Sequence, residues 1–430
     1  MNAPATTPAG SAAGSAVVAM TDPQLVADPY AGYDRIREEG PVRRAIALDG
    51  NPVWLVTRQA DVREVMADPR VRVDPTGIPG AAQDARASQL RQIGMPEDAI
   101  GYLTGSIIDH DGADHTRLRK LVSRAFTVRR VGELRPRVEE IAADLLDRLP
   151  DPAERSLSDR ADDTDLLEQY TYPLPITVIC ELVGVPEADR PNWRRWGATL
   201  VSMNPEAVPA AATEMIAHCH ELTDRRRAEP QDDLLSALVV ATDEHGDRLT
   251  DVEIVTMLLT LVFAGHETTA HLLANSAYAL MTSERPQLER LLADPSGWTT
   301  AVGELMRTSG PVQIARVRYA AEDLQIGGVT IPQGDAIQPV LVAANRDPRA
   351  YDDPTRLDVT RHPAGRGDGH VGFGHGPHYC LGAALARQEG EVGLRMLFER
   401  YPRISFAGEA PQWLPLPGVR RLTALPVRLG

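Results

Sequence analysis

The chemistry of this 430-residue chain is most readily built around Cys380. It closes the run Phe373-Gly374-His375-Gly376-Pro377-His378-Tyr379-Cys380, and Leu381-Gly382 follow. Gly374, Gly376 and Gly382 let a backbone adopt positive φ and approach a flat object closely. A helical pattern opens at Leu381, so Cys380 stands at a helix start, where unpaired N–H groups and the dipole favour a thiolate. A thiolate so placed is a good iron ligand. Hydrogen bonds to its sulfur from the Leu381 and Gly382 amides would tune its electron donation. A lone cysteine is more often a buried apolar filler, and it is the surrounding glycines that argue otherwise. His375, His378 and Cys380 have no second ligand group nearby, which argues against a structural zinc.

A second group is Ala264-Gly265-His266-Glu267-Thr268-Thr269. Gly265 and the two threonines weaken a helix, because Thr hydroxyls take backbone carbonyls and glycine packs nothing. A local bulge with room for a diatomic ligand and a water is expected there. Glu267 beside Thr268 offers an acid and a hydroxyl that can relay protons. His266 and His271 suggest a zinc-protease helix, but that motif needs histidines four apart. These are five apart, about 140° round the helix axis, and the spacing fails. Glu304 and Arg307 share one helix face; alone, such a pair is usually a solvated contact.

The Cys380 segment resembles the haem-binding signature of the cytochrome P-450 family, F-x-x-G-x-H/R-x-C-x-G, at every defined position. The Ala264–Thr269 run resembles the family's A-G-x-D/E-T-T/S motif, and Glu304 and Arg307 match its E-x-x-R. Motif order and distances extend the resemblance from about Asp22 onward. It implies a mainly α fold with a minor β region, and haem b between a long central helix and the cysteine loop. Cys380 is then the axial ligand, with Phe373, Gly374 and Gly382 shaping its loop. Thr268 is the oxygen-side hydroxyl and Glu267 the neighbouring acid. Glu304 and Arg307 form an internal brace, completed by Arg361 or His362. His115, Arg119, Arg316 and His378 hold the haem propionates, with Arg318 as the alternative to Arg316. By family position the substrate pocket comprises Ile107, Ile108, Leu261, Ala264, Thr269, Val312, Gln313 and Ile314.

The implied activity is O2-dependent hydroxylation or epoxidation of a bulky, largely apolar molecule. The sequence style is closest to actinobacterial members that tailor polyketides, macrolides and other secondary metabolites. Electrons are expected from a separate ferredoxin and ferredoxin reductase, docking on a basic face of Arg119, Lys120, Arg124, Arg129, Arg130 and Arg387. A steroid or terpenoid hydroxylase, a peroxide-driven peroxygenase or coupling enzyme, and a non-catalytic haem-binding relative stay open.

Several elements must position these groups. Thr250-Asp251-Val252-Glu253 is a capping box, and periodicity then runs to about Met281, a rod of roughly 45 Å. A helix over Trp298–Thr308 stops at Ser309-Gly310-Pro311. Strand patterns cover Val42–Leu48, Val53–Val56, Ala315–Tyr319, Leu324–Ile326, Val329–Ile331 and Ala336–Ala343. A last helix is expected over Leu381–Arg400. Leu166–Val183 reads as helical, broken by Pro173 and Pro175, and Asp74–Ala99 reads as a long mobile loop.

The formal charge of −15 argues against nucleic acid or anionic lipid as the main partner. Three scattered cysteines form no disulfide framework, which suits a reducing cytosol. Residues 1–20 read as a disordered tail without the basic start of a signal peptide, leaving 21–430 as one catalytic domain. The most apolar run, Ile254–Gly265, is about 12 residues where a membrane span needs roughly 20. A cytoplasmic protein is expected.

Overall fold

The computed structural model describes residues 17–82, 85–150, 164–201, 204–242, 246–282, 284–362 and 367–430. Its sheet joins segments far apart in sequence: β1 (Val18–Ala19), β2 (Val42–Ile46), β3 (Pro52–Val56), β4 (Val71–Arg72), β5 (Arg318–Ala320) and β6 (Ala336–Pro339). The strand order is β1-β2-β3-β6-β5-β4. β3 and β6 pair in parallel, with Trp54 opposite Ile337, and β6 pairs antiparallel to β5, with Ile337 opposite Arg318. This pairing fixes where Arg318 stands.

Two strand expectations shorten. The Ala315–Tyr319 pattern becomes ladder only at Arg318, and the Ala336–Ala343 pattern stops at Pro339, where proline has no N–H to extend pairing. Residues 341–344 turn helical instead. The expected tail of residues 1–20 is corrected at its end. Val18 and Ala19 pair with Ala45 and Ile46, and Met20 is buried; residues 1–16 lie outside the described residues.

Seven helices matter to the site: α1 (Glu97–Thr104), α2 (Gly112–Ala125), α3 (Pro173–Val183), α4 (Val208–Ala228), α5 (Asp251–Met281), α6 (Trp298–Ser309) and α7 (Ala383–Arg400). α5 begins on the capping box: Glu253 N donates to Thr250 Oγ1 at 3.2 Å, and Thr250 N donates to Glu253 Oε2 at 2.7 Å. It is long and apolar enough to cross a membrane by length and composition, but it is the core helix of this fold. α1, α3, α4, α6 and α7 all pack on it. Each Leu or Ile it buries contributes about 1.5–3 kcal/mol.

The Asp74–Ala99 expectation is corrected too, since a helix spans Ala85–Gln92 and α1 begins at Glu97. Glu97 and Asp98 complement the N-terminus of α1, while Ala99 and Ile100 bury their side chains. Pro173 does not break a helix but opens one, as N1 of α3. A π turn over Leu167–Thr171 precedes it and sets the position of Tyr172.

Candidate active site

A cavity lies between α5 and the loop that ends at Cys380. Protein atoms enclose Cys380, yet its side chain is accessible, because the surface it presents is the cavity wall. Cys380 N donates to Phe373 O at 2.8 Å, and Gly374, at φ +78°, makes the turn that closes this loop. The loop is braced from behind. The Tyr379 hydroxyl donates to Asp368 Oδ2 at 2.6 Å and accepts from Arg387 at 2.7 Å, while the Arg387 guanidinium lies 4.5 Å from the Phe373 ring centre. Burial pushes the Cys380 thiol pKa up, opposed by a hydrogen bond from the Gly382 amide and by the charges of Arg119 and Arg387. Of the two amides expected at sulfur, Gly382 supplies this contact.

The cavity lining includes basic side chains: His115 and Arg119 from α2, Arg318 from β5, and His378. The His115 and His378 rings lie 4.2 Å apart, and Arg119 Nη2 donates to Tyr379 O at 2.8 Å. Burial lowers the pKa of Arg119 and of Arg318. His115 is pushed down to about 4 by burial, then by the charges of His378 and Arg119. Arg318 is buried, and its Nε finds no acceptor among the described residues. A cysteine sulfur facing a slot whose rim carries the guanidinium groups of Arg119 and Arg318 fits a flat, dianionic iron tetrapyrrole. Arg316 also reaches the cavity, but it is ion-paired with Asp109.

The opposite wall is α5. Ala264, Gly265, Thr268 and Thr269 line the cavity, as do Ile107, Ile108, Leu261 and Val312. Thr268 Oγ1 donates to Ala264 O at 2.7 Å and Thr269 Oγ1 to Gly265 O at 3.0 Å. The expected bulge is absent, and α5 runs unbroken through this stretch. Gly265 lets α3 approach, since a Cβ there would sit 3.3 Å from Ile179 side-chain atoms.

Two site expectations are corrected in place. Gln313 and Ile314 are off the cavity wall. Their amides both aim at Gly418 O, at 2.9 and 3.4 Å, which bends the chain and turns the two side chains away. Glu267, the acid next to Thr268, is buried and held by partners of its own. Its Oε1 accepts from the Tyr172 hydroxyl at 2.9 Å, and its Oε2 lies 3.1 Å from Arg421 and 3.6 Å from His271.

The Glu304–Arg307 pair is internal. Arg307 Nε and Nη2 donate to the two Glu304 oxygens, each at 2.7 Å. Arg307 also holds the carbonyls of Asn345, Pro354 and Arg356, at 2.8, 2.6 and 3.0 Å. Arg361, rather than His362, completes the network, donating to Glu304 Oε1 at 3.1 Å. Sequence reasoning missed Glu389. It lies on α7, lines the cavity, and has an Oε2 without a partner among the described residues. Burial raises its pKa well above the usual carboxylate value. Its signal was one acid set among the inward residues Leu385 and Val392 of the last helix.

The geometry defines a haem-thiolate protein, and comparison with known proteins carries this further. The family model described as Cytochrome P-450 matches residues 204–290 and 299–412. The chain is 42% identical over 407 residues to Vitamin D(3) 25-hydroxylase of Pseudonocardia autotrophica, covering 94% of each. It is 40% identical over 408 residues to 6-deoxyerythronolide B hydroxylase of Saccharopolyspora erythraea, covering 94% of this chain and 96% of that one. Among solved structures, the ligand-free P-450 monooxygenase TamI superposes with a TM-score of 0.83 at 39% identity, covering 97% of this chain and 95% of that one. The chain belongs to the cytochrome P-450 family. It is a haem b monooxygenase, similar to actinobacterial members that act on secondary metabolites.

Proposed function

We propose that residues 21–430, with β1 ahead of them, form one catalytic domain that hydroxylates or epoxidises a bulky, largely apolar small molecule of the polyketide or macrolide kind. The observation that carries this reading is the distal wall. Ile107, Ile108, Leu261 and Val312 make it aliphatic, and Ala264 leaves space beside Thr268. Such a wall selects by shape and apolar area. Relatives that include 6-deoxyerythronolide B hydroxylase and a TamI structure with tirandamycin C support it.

Haem b, once bound, supplies the activation of O2 with two electrons. Cys380 is its ligand, and His115, Arg119, Arg318 and His378 answer its propionates. Thr268 places a hydroxyl on the distal wall, while Tyr172 and Arg421 hold Glu267 one position away. The test is a binding panel read by the Soret shift on substrate entry: macrolactones shifting the band support the proposal, and a panel without response counts against it. The likeness to Vitamin D(3) 25-hydroxylase favours a second reading, a steroid-like substrate, and response to secosteroids alone would select it.

Electron supply by a ferredoxin and its reductase belongs to the same proposal. Arg124 and Arg129 are exposed at the end of α2 and just beyond it, and suit an acidic carrier. Arg119 and Arg387 are instead tied to the cysteine loop. Arg124→Glu with Arg129→Glu should weaken ferredoxin binding; unchanged affinity removes this face. Cys180 and Cys219 are buried, unpaired thiols, which suits a reducing cytoplasm.

A further inference from the structure

Two arginines two positions apart reach the cavity, and they differ in what already answers their charge. Arg318 is buried, its Nε has no acceptor among the described residues, and the Asp111 carboxylate acts on it only through its charge. Arg316 is held by Asp109, and its side chain remains 32% accessible on the cavity wall. Asp109 also braces its own segment. Its Oδ2 accepts from Ser106 N at 2.9 Å, capping the short turn that presents Ile107 and Ile108. The ion pair therefore ties the approach to β5 to the apolar wall.

A guanidinium carries five N–H donors, and Asp109 engages Nη2. The threonines of this wall have already committed their hydroxyl protons. Thr260, Thr268 and Thr269 each donate their hydroxyl to an α5 carbonyl, at 2.7, 2.7 and 3.0 Å. An apolar substrate that displaces water from Arg316 would leave its remaining donors unsatisfied, which is costly unless the substrate brings an acceptor.

We propose that Arg316 is a specificity-determining residue, whose N–H groups take a carbonyl or lactone oxygen of the substrate, while Arg318 holds a haem propionate. Because the Arg316–Asp109 pair is neutral, an uncharged oxygen is preferred to a carboxylate. The inference rests on the monooxygenase reading and narrows its substrate class to oxygenated, neutral scaffolds.

Arg316→Leu, Arg316→Gln and Arg318→Leu separate the two roles. The readouts are haem content and Soret-shift titration with a macrocyclic lactone and the cycloalkane of equal ring size. Arg316→Leu should keep its haem and bind the lactone about tenfold more weakly, the worth of one hydrogen bond to a charged donor. Its affinity for the cycloalkane should rise, because no guanidinium donor is then left without an acceptor. Arg316→Gln should recover part of the lactone affinity, and Arg318→Leu should lose haem. The assignment is overturned if Arg316→Leu loses haem while Arg318→Leu keeps it, if lactone affinity is equal in wild type and Arg316→Leu, or if wild type responds to neither probe. A failure of the monooxygenase reading itself would show separately, as wild-type protein that takes up no haem.

Discussion

Replacing Glu304 by glutamine tests the internal brace with almost no change of shape. Both side chains of the Glu304–Arg307 pair are 2% accessible, so no water replaces a lost partner. The carboxylate receives two bonds from Arg307, one from Arg361 and one from Asp358 N at 3.0 Å. The amide removes the negative charge and leaves Arg307 buried with three carbonyls as acceptors. Breaking one side of a buried pair costs about 3–5 kcal/mol, against a total stability of roughly 5–15 kcal/mol. Glu304→Gln should therefore lose a large share of its stability in urea denaturation and retain less haem per chain, because the same network orders residues 345–361. Arg361→Leu should cost only about 1 kcal/mol, since Arg361 is partly exposed and contributes one bond to Glu304. A Glu304→Gln protein within about 1 kcal/mol of wild type would refute the reasoning.

Two further outcomes follow from buried titratable groups. Burial, offset in part by Glu267, pushes the His271 pKa down to about 4, so the folded protein holds it neutral while the unfolded chain titrates near 6.5. The unfolded state then binds more protons, and stability is full above about 6.5 and falls as pH drops toward 4, by roughly 2 kcal/mol at pH 5; urea midpoints at pH 7 and pH 5 should show the fall, and His271→Leu should reduce it. Burial raises the Glu389 pKa and so favours the neutral acid; Glu389→Gln, an isosteric neutral change, should shift stability by less than about 1 kcal/mol. A loss of several kcal/mol on denaturation would show that an ionised carboxylate was needed there.

The sequence carried the site wherever spacing along one element fixes geometry. Cys380 before α7, the Glu304–Arg307 pair on one face of α6, and the Thr250 capping box that starts α5 were all legible because each depends on residues a few positions apart. Helix phase explains where Glu267 stands. Glu267 and Thr268 are adjacent, hence about 100° apart around α5, so a hydroxyl on the cavity wall turns its neighbouring acid toward Tyr172 and Arg421. Those partners come from elements far away in sequence, and no local pattern announces them. The same holds for Gln313 and Ile314, turned aside by Gly418, and for Arg318, whose burial depends on the β6–β5 pairing. The Asp74–Ala99 stretch misled by composition: Gly, Pro, Ala and Gln suggested a loop, whereas packing of Ala99 and Ile100 decides in favour of helix α1.

The central claim is that Cys380 ligates a haem iron as thiolate. It is tested most directly by the absorption spectrum of the dithionite-reduced protein under carbon monoxide. A Soret band strongly red-shifted from that of imidazole-ligated haem, and lost in Cys380→Ser, is the predicted result. A band like that of imidazole-ligated haem in freshly prepared wild-type protein, or one unchanged by Cys380→Ser, would contradict it.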